Sequence, residues 1–304
     1  VEGGILATVK ILLTFLCLIT PLLANDWVNL WPGDAPGAPQ PPEGSETANN
    51  GHFSNIEVPQ YRLFQPEKPN GQCLVVLPGG GYTVLAAGHE GLDIAKNLNA
   101  KGITAIVVKY RVAREDSFKY HFPVPLLDAR RALRTARAKA AEWKIDSKRI
   151  GIMGFSAGGH LAASATTMFD ERFEAETNDE IDKLSCRPDF SILGYPVILM
   201  GTKDGHGGSQ RRLLGANPSE ELLAKGGKVI DYISSKTPPV YFVHSANDKA
   251  VPLKNSLEFA TRCTDFNVPV SGQIFAKGGH GWGATGREDA TAWMKQLHLW
   301  LAER

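Results

Sequence analysis

The stretch "GIMGFSAGGHL", residues 151–161, sets Ser156 between Gly154 and Gly158. An apolar, strand-like run precedes it and an apolar, helix-like run follows. A strand that enters a helix through Gly-x-Ser-x-Gly makes a sharp elbow. The serine hydroxyl is then exposed above a sheet, and the first amides of the helix point at the same spot. An ordinary glycine-rich turn is written with the same letters, so a nucleophile needs a base, an acid and an anion site elsewhere. In "FAKGGHGWG" His280 lies among four glycines. Histidine is the side chain whose ordinary pKa lets it take and return a proton near neutrality. In "VHSANDKAVP" Asp248 follows a strand-like run, where it can orient a histidine and stabilise the imidazolium, although aspartate is also a common turn residue. In "LPGGGYTVL" consecutive glycines can present free N–H groups. Gly80 and Gly81, with the amide of Ala157, are candidate oxyanion donors; a plain flexible loop is the alternative. Tyr82 and Trp282 adjoin these groups and could stack on a sugar face or simply wall a pocket.

Each of these groups must be placed by an element. Short continuous apolar runs such as "QCLVVLP", "ITAIVVKY", "RIGIMGF", "DFSILGYPV" and "PVYFVHS" read as strands buried on both faces. They alternate with helical patterns: "EGLDIAKNLNAKG", the long amphipathic "VPLLDARRALRTARAKAAEWK", "AGGHLAASATTM", "LKNSLEFATRCTDF" and "REDATAWMKQLHLWLAE". "PVSGQIFAKG" reads as a last strand. "IEVPQYRLFQP" reads as an antiparallel edge strand, because Pro59 suits an edge better than a centre. The expected class is α/β: a mostly parallel central sheet with helices on both faces and a small cap from the polar stretch between Leu199 and Lys236. In such sheets the working loops lie at the carboxyl ends of the strands, and the four motifs each fall at one.

The order Ser156, Asp248, His280 is that of the α/β-hydrolase fold, unlike the orders of the chymotrypsin and subtilisin classes. "PGGGY", "GFSAGGHLA", "NDKAVP" and "GGHGWG", together with "HEG", "VVKYRV" and "PLLDARRALR", resemble the bacterial α/β-hydrolase esterases related to acetyl xylan esterases and feruloyl esterases. More distantly they are similar to hormone-sensitive-lipase-like esterases. The resemblance runs from about Asn29 to the C-terminus. It implies a serine esterase that needs no cofactor or metal, with Ser156, His280 and Asp248 as triad and an acetylated oligosaccharide or polysaccharide as partner. Pro78 stands where many related loops carry histidine. A general short-chain carboxylesterase would share every motif; a non-catalytic binding protein would be expected to lack part of the triad.

With 304 residues, 43% of them hydrophobic, 21% charged and a net charge of +1, the chain can bury a large core and has no overall field for nucleic acid. Lys10 followed by an apolar run to Ala24 reads as an export signal over residues 1–24, implying a secreted or periplasmic protein with no stable membrane association afterwards. Residues 25–55, rich in Pro, Gly and Asn, read as an extended arm, and 56–304 as the hydrolase domain. Of the four cysteines, Cys17 would leave with the signal. Cys73 reads as core, and Cys186 and Cys263 could pair or stay free. No Cys/His spacing suggests a metal site. His244 reads as a core residue, and His160 as packing near the elbow. His52, His121, His206 and His298 read as surface or loop residues. His89 and Glu90 read as a helix cap or loop support rather than pocket lining. Asp128 reads as an internal partner of Arg111.

Overall fold

The computed structural model describes residues 27–37, 46–112, 120–177 and 179–304. The proposed signal and Cys17 lie outside these residues. Strands β1 (Val28–Asn29), β2 (Thr47–Asn49), β3 (His52–Ser54), β4 (Gln60–Phe64), β5 (Cys73–Leu77) and β6 (Val84–Leu85) precede helix α1 (Asp93–Asn99). Then β7 (Thr104–Lys109) leads to α2 (Val124–Ala138), β8 (Ile150–Phe155) to α3 (Ser156–Thr167), and β9 (Ser191–Gly194) to α4 (Gly207–Leu214) and α5 (Glu220–Gly227). Last come β10 (Val240–Ser245), α6 (Lys254–Asp265), β11 (Val270–Phe275) and α7 (Trp293–Leu301).

Eight strands form one sheet in the order β1-β4-β7-β5-β8-β9-β10-β11. β4 runs antiparallel to β1 and β7, and the pairs from β7 to β11 are parallel. The alternating Cβ directions of β5 explain the continuous apolar runs. Val75 and Leu77 pack on the face covered by α2 and α3, with Leu133 and Leu161. Leu74 and Val76 pack on the opposite face, with Leu98 of α1 and Leu297 of α7. Both faces are covered, so neither set can be polar. This is the α/β-hydrolase architecture expected from the strand and helix order.

The structure corrects several boundaries. The arm is not merely extended: β1 adds two residues outside β4, so β4 is not the outermost strand. β2 and β3 make a hairpin that joins β6 in a separate three-stranded sheet. Pro59 sits just ahead of β4, where its missing N–H costs nothing and its carbonyl accepts Leu30 N–H at 3.0 Å. The pattern expected as one helix from Glu90 begins as a π-helical turn, Gly88–Leu92, before α1. Helix α2 stops at Ala138, short of Lys144, and it is buried almost throughout rather than on one face. Its Arg130, Arg131 and Arg134 face Glu176, Asp179 and Asp182 from the segment after α3, and this pairing permits their burial. The closing helix opens with a 3-10 turn, Glu288–Ala292.

Cys73, Cys186 and Cys263 are free and buried. The expected internal pair forms: Arg111 donates to both carboxylate oxygens of Asp128 through Nε, and Nη2 reaches Oδ1 at 2.6 Å, both side chains being fully buried. Among the described residues no helix is long and apolar enough to cross a membrane.

Candidate active site

Strand β8 delivers Ser156 into α3 with φ +52°, a left-handed conformation that strains any residue with a Cβ. The turn is possible only because Gly154 has no side chain. A Cβ there would meet the carbonyl oxygen of Gly158 at 2.0 Å and Ala162 Cβ at 2.9 Å. Backbone cannot retreat from such a contact. Gly154→Ala is therefore expected to destabilise the fold by at least about 3 kcal/mol, measured by urea unfolding, or to prevent accumulation of folded protein.

Ser156 Oγ lies 2.8 Å from His280 Nε2, and His280 Nδ1 lies 2.6 Å from Asp248 Oδ2. The three side chains come from loops after β8, β10 and β11. Asp248 Oδ1 accepts the amides of Ala250 and Val251, each at 2.9 Å, which fixes the carboxylate plane. Burial alone would raise the Asp248 pKa. Hydrogen bonds from the His244 and His280 rings, the His280 charge and the Val251 amide outweigh it and hold the carboxyl well below its usual range. Asp248 is thus an anion that accepts only, so the Nδ1 of His280 carries the proton and Nε2 is left to accept from the serine hydroxyl. Asn247 Oδ1 accepts the Gly279 N–H at 2.9 Å and so ties the histidine loop to the loop that carries Asp248.

The glycine loop lies against the elbow. The Gly79 N–H is committed to Glu90 Oε2 at 2.8 Å. The amides of Gly80, Gly81 and Ala157 have no protein acceptor among the described residues. Tyr110 Oη donates to the Pro78 carbonyl at 2.6 Å and ties this loop to the end of β7.

Other residues behave differently from their sequence neighbourhood. Tyr82 and Trp282 are each 1% exposed, so neither offers a ring face to a sugar. Tyr82 Oη is 2.8 Å from His160 Nδ1, and Trp282 packs between Tyr195 and Trp293. An aromatic beside a working residue looks the same in sequence whether its ring turns in or out; here both turn in. His244 is a core residue as expected, yet it also touches the site. Its Nε2 is 2.9 Å from Val251 O and 3.4 Å from Asp248 Oδ2, while Nδ1 meets Ser256 Oγ at 2.8 Å. His206, expected on the surface or in a loop, ends the loop before α4, which it caps by accepting the Ser209 N–H, and it is half-buried. Burial, and then the His280 charge, push its pKa down against the pull of Asp248, and it lines a cavity together with Gly81 of the glycine loop. His89 and Glu90 provide no helix cap; the Glu90 carboxylate turns inward. Of the two readings of Glu90, helix cap or loop support, its bond to the Gly79 N–H agrees with the second; no motif or spacing in the sequence marks Tyr195 as part of the site.

His160 is fully buried, and desolvation, opposed by a backbone contact from Gly227, lowers its pKa from 6.5 to about 3. The unfolded chain binds this proton below 6.5 and the folded chain only near 3, so stability falls as pH is lowered through that window. The contribution has a slope of up to about 1.4 kcal/mol per pH unit. The urea midpoint should track it, and His160→Gln should remove one proton's share of the slope.

A cavity of about 230 Å³ adjoins the glycine loop, lined by Gly81, Thr83, His206, Gly208, Arg211 and Arg212. It is small beside the roughly 300–1,000 Å³ of pockets that take drug-sized ligands. A larger cavity of about 880 Å³, lined in part by Arg130, Phe169, Cys186 and Lys236, includes no residue of this site. Among the described residues no cluster of His, Cys, Asp and Glu is arranged to hold a metal ion.

The profile of the BD-FAE family matches residues 62–263. Endo-1,4-beta-xylanase B of Butyrivibrio fibrisolvens is 36% identical over 221 residues, covering 73% of this chain and 34% of that protein. Acetylxylan esterase of Xylanibacter ruminicola is 33% identical over 227 residues, covering 74% of this chain and 44% of that protein. The chain thus spans less than half the length of these two relatives. An acetyl ester-xyloside bifunctional hydrolase from Caldicellulosiruptor lactoaceticus superposes with a TM-score of 0.76 at 36% identity, covering 91% of this chain and 96% of that one. A carboxylesterase from Lactobacillus plantarum, at 21% identity and a TM-score of 0.65, shares the fold. The chain belongs to the BD-FAE family, among the α/β-hydrolase esterases related to acetylxylan esterases.

Proposed function

We propose that the protein is a serine carboxylic ester hydrolase that removes short acyl groups, acetyl above all, from carbohydrate esters. The observation that carries this reading is the unbroken chain from Ser156 Oγ to His280 Nε2 at 2.8 Å and from His280 Nδ1 to Asp248 Oδ2 at 2.6 Å, beside open backbone amides. Ser156 Oγ attacks the ester carbonyl as His280 Nε2 takes its proton. The new C–O bond leaves a tetrahedral oxyanion, which the Gly80, Gly81 and Ala157 amides stabilise as its charge develops. The intermediate collapses, the bond to the alcohol breaks, and the alcohol oxygen takes the proton from His280. Water then gives a proton to His280 and attacks the acyl carbon. Ser156 leaves with that proton, and the carboxylic acid is released. Asp248 holds the imidazole in place and balances its transient positive charge.

The segment between Leu199 and Lys236 is polar and lacks the long apolar stripe of a lipid-binding lid, which favours a short acyl group. The names of two relatives, an acetylxylan esterase and an acetyl ester-xyloside hydrolase, point to acetyl on a xylan-type sugar. Export through the segment 1–24 would bring the enzyme to such substrates. The test is acetate release from acetylated xylan oligosaccharides, run beside 4-nitrophenyl acetate, butyrate and octanoate. Serine-dependent acetate release, with a steep fall beyond acetyl, is expected. Turnover of the nitrophenyl esters without sugar deacetylation would make the protein a general short-chain carboxylesterase instead.

A further inference from the structure

The proposed reaction needs two loops at one separation. One presents the Gly80 and Gly81 amides and the other presents His280. Both lie beyond the ends of strands, so the sheet ladder does not hold them. Glu90 spans them. It is 2% exposed, in the π-helical turn between β6 and α1. Its Oε2 accepts the Gly79 N–H at 2.8 Å, and its Oε1 accepts the Tyr195 O–H at 2.7 Å. Tyr195 Oη in turn accepts the Gly283 N–H at 2.8 Å. A second tie runs beside the first, from Ala284 N–H to the His89 carbonyl at 2.9 Å. The Tyr195 ring stands edge-on to His280, with centroids 4.8 Å apart. A Cβ on Gly79 would come within 2.7 Å of Glu90 Oε2 and 2.9 Å of Ser156 Cβ, so glycine is required for these three groups to meet.

We infer that Glu90 is a positioning residue, which sets through Tyr195 the spacing between the oxyanion amides and the His280 loop; the inference rests on the function proposed above. The chemistry suits the task. A carboxylate accepts hydrogen bonds about twice as strong as a neutral acceptor does. Burial, then the Glu90 charge, push the Tyr195 hydroxyl well above its ordinary pKa, so it remains a donor. Tyr195 itself is held at φ +33°, a strained conformation that persists only where surrounding contacts dictate it. Every link of the chain is satisfied, and a fully satisfied buried network rigidifies what it joins.

The test uses Glu90→Gln, Tyr195→Phe and the double variant. A glutamine oxygen can serve the Gly79 amide or the Tyr195 hydroxyl, but its NH₂ faces whichever donor remains. On 4-nitrophenyl acetate, E90Q should lose about 10²-fold in kcat and Y195F about tenfold, each with KM changed by no more than about threefold. The double variant should be no slower than E90Q, because both substitutions break one chain. Amide hydrogen exchange gives a readout independent of turnover. Residues 278–286 should exchange faster in both single variants, and residues 78–86 faster in E90Q alone. Unchanged exchange in both segments, multiplying losses in kcat, or a loss carried by KM would overturn the inference. If E90Q does not fold, Y195F still decides through its exchange and its kcat. A wild-type protein that turns over no ester would sink the proposed function, and the exchange pattern would still decide whether Glu90 holds the two loops together.

Discussion

Ser156→Ala is expected to lower kcat on 4-nitrophenyl acetate by about 10⁶-fold, to the level at which only binding and the oxyanion amides still act. The substitution deletes the atom that, in the proposed mechanism, bonds to the acyl carbon, and it leaves the rest of the site in place. The backbone, at φ +52°, strains an alanine as much as it strains the serine, and the one hydrogen bond lost is the bond to His280. The unfolding free energy should therefore stay within about 1 kcal/mol of wild type. A fluorophosphonate that labels the wild type should leave the variant unlabelled. Full activity in a folded S156A variant, with its labelling intact, would remove the serine mechanism altogether.

Asp248→Asn is expected to lower kcat by about 10⁴-fold while preserving the turn. The Asn oxygen can replace Oδ1 and keep the amides of Ala250 and Val251. Its NH₂ would then occupy the place of Oδ2, facing His280 Nδ1. A donor there turns Nδ1 into an acceptor and moves the imidazole proton to Nε2. The ring then donates to Ser156 instead of accepting its proton. The same NH₂ would confront His244 Nε2, which lies 2.9 Å from the Val251 carbonyl and has every reason to keep its own proton. Two donors pressed together make this variant less stable as well as slower. Steady-state kinetics paired with denaturant unfolding separates the two effects. A loss below tenfold in kcat would mean that Asp248 does not set the tautomer.

Much of this architecture is legible in the sequence because burial leaves a linear trace. A strand such as β5, covered on both faces, must be apolar throughout, and Cys73–Leu77 is. Ser156 and Asp248 can be read because each follows such a strand; His280 follows the half-exposed edge strand β11, and what points to it is its place among glycines and the restrictive order of the three along the chain. Glu90 can be read as loop support, but its partner Tyr195 cannot. The bond between them joins positions 105 residues apart, and Tyr195 leaves no periodic or spacing signal. The burial of Arg130, Arg131 and Arg134 is hidden for a similar reason: it depends on acids contributed by a segment with no regular pattern of its own. On its own, α2 looks like a helix with a wet face. Tyr82 and Trp282 mislead because adjacency in sequence says nothing about which way a ring points.

The strand order has a consequence for synthesis. From β8 onward each new strand is laid beside the one made just before it, ending with β11 at the sheet edge and the His280 loop beyond it. Chains are made from the N-terminus, and a domain folds as a unit. His280, the proposed base, is therefore made 124 residues after Ser156. Under the proposed mechanism, a chain interrupted between residues 156 and 280 carries Ser156 without the base that would activate it.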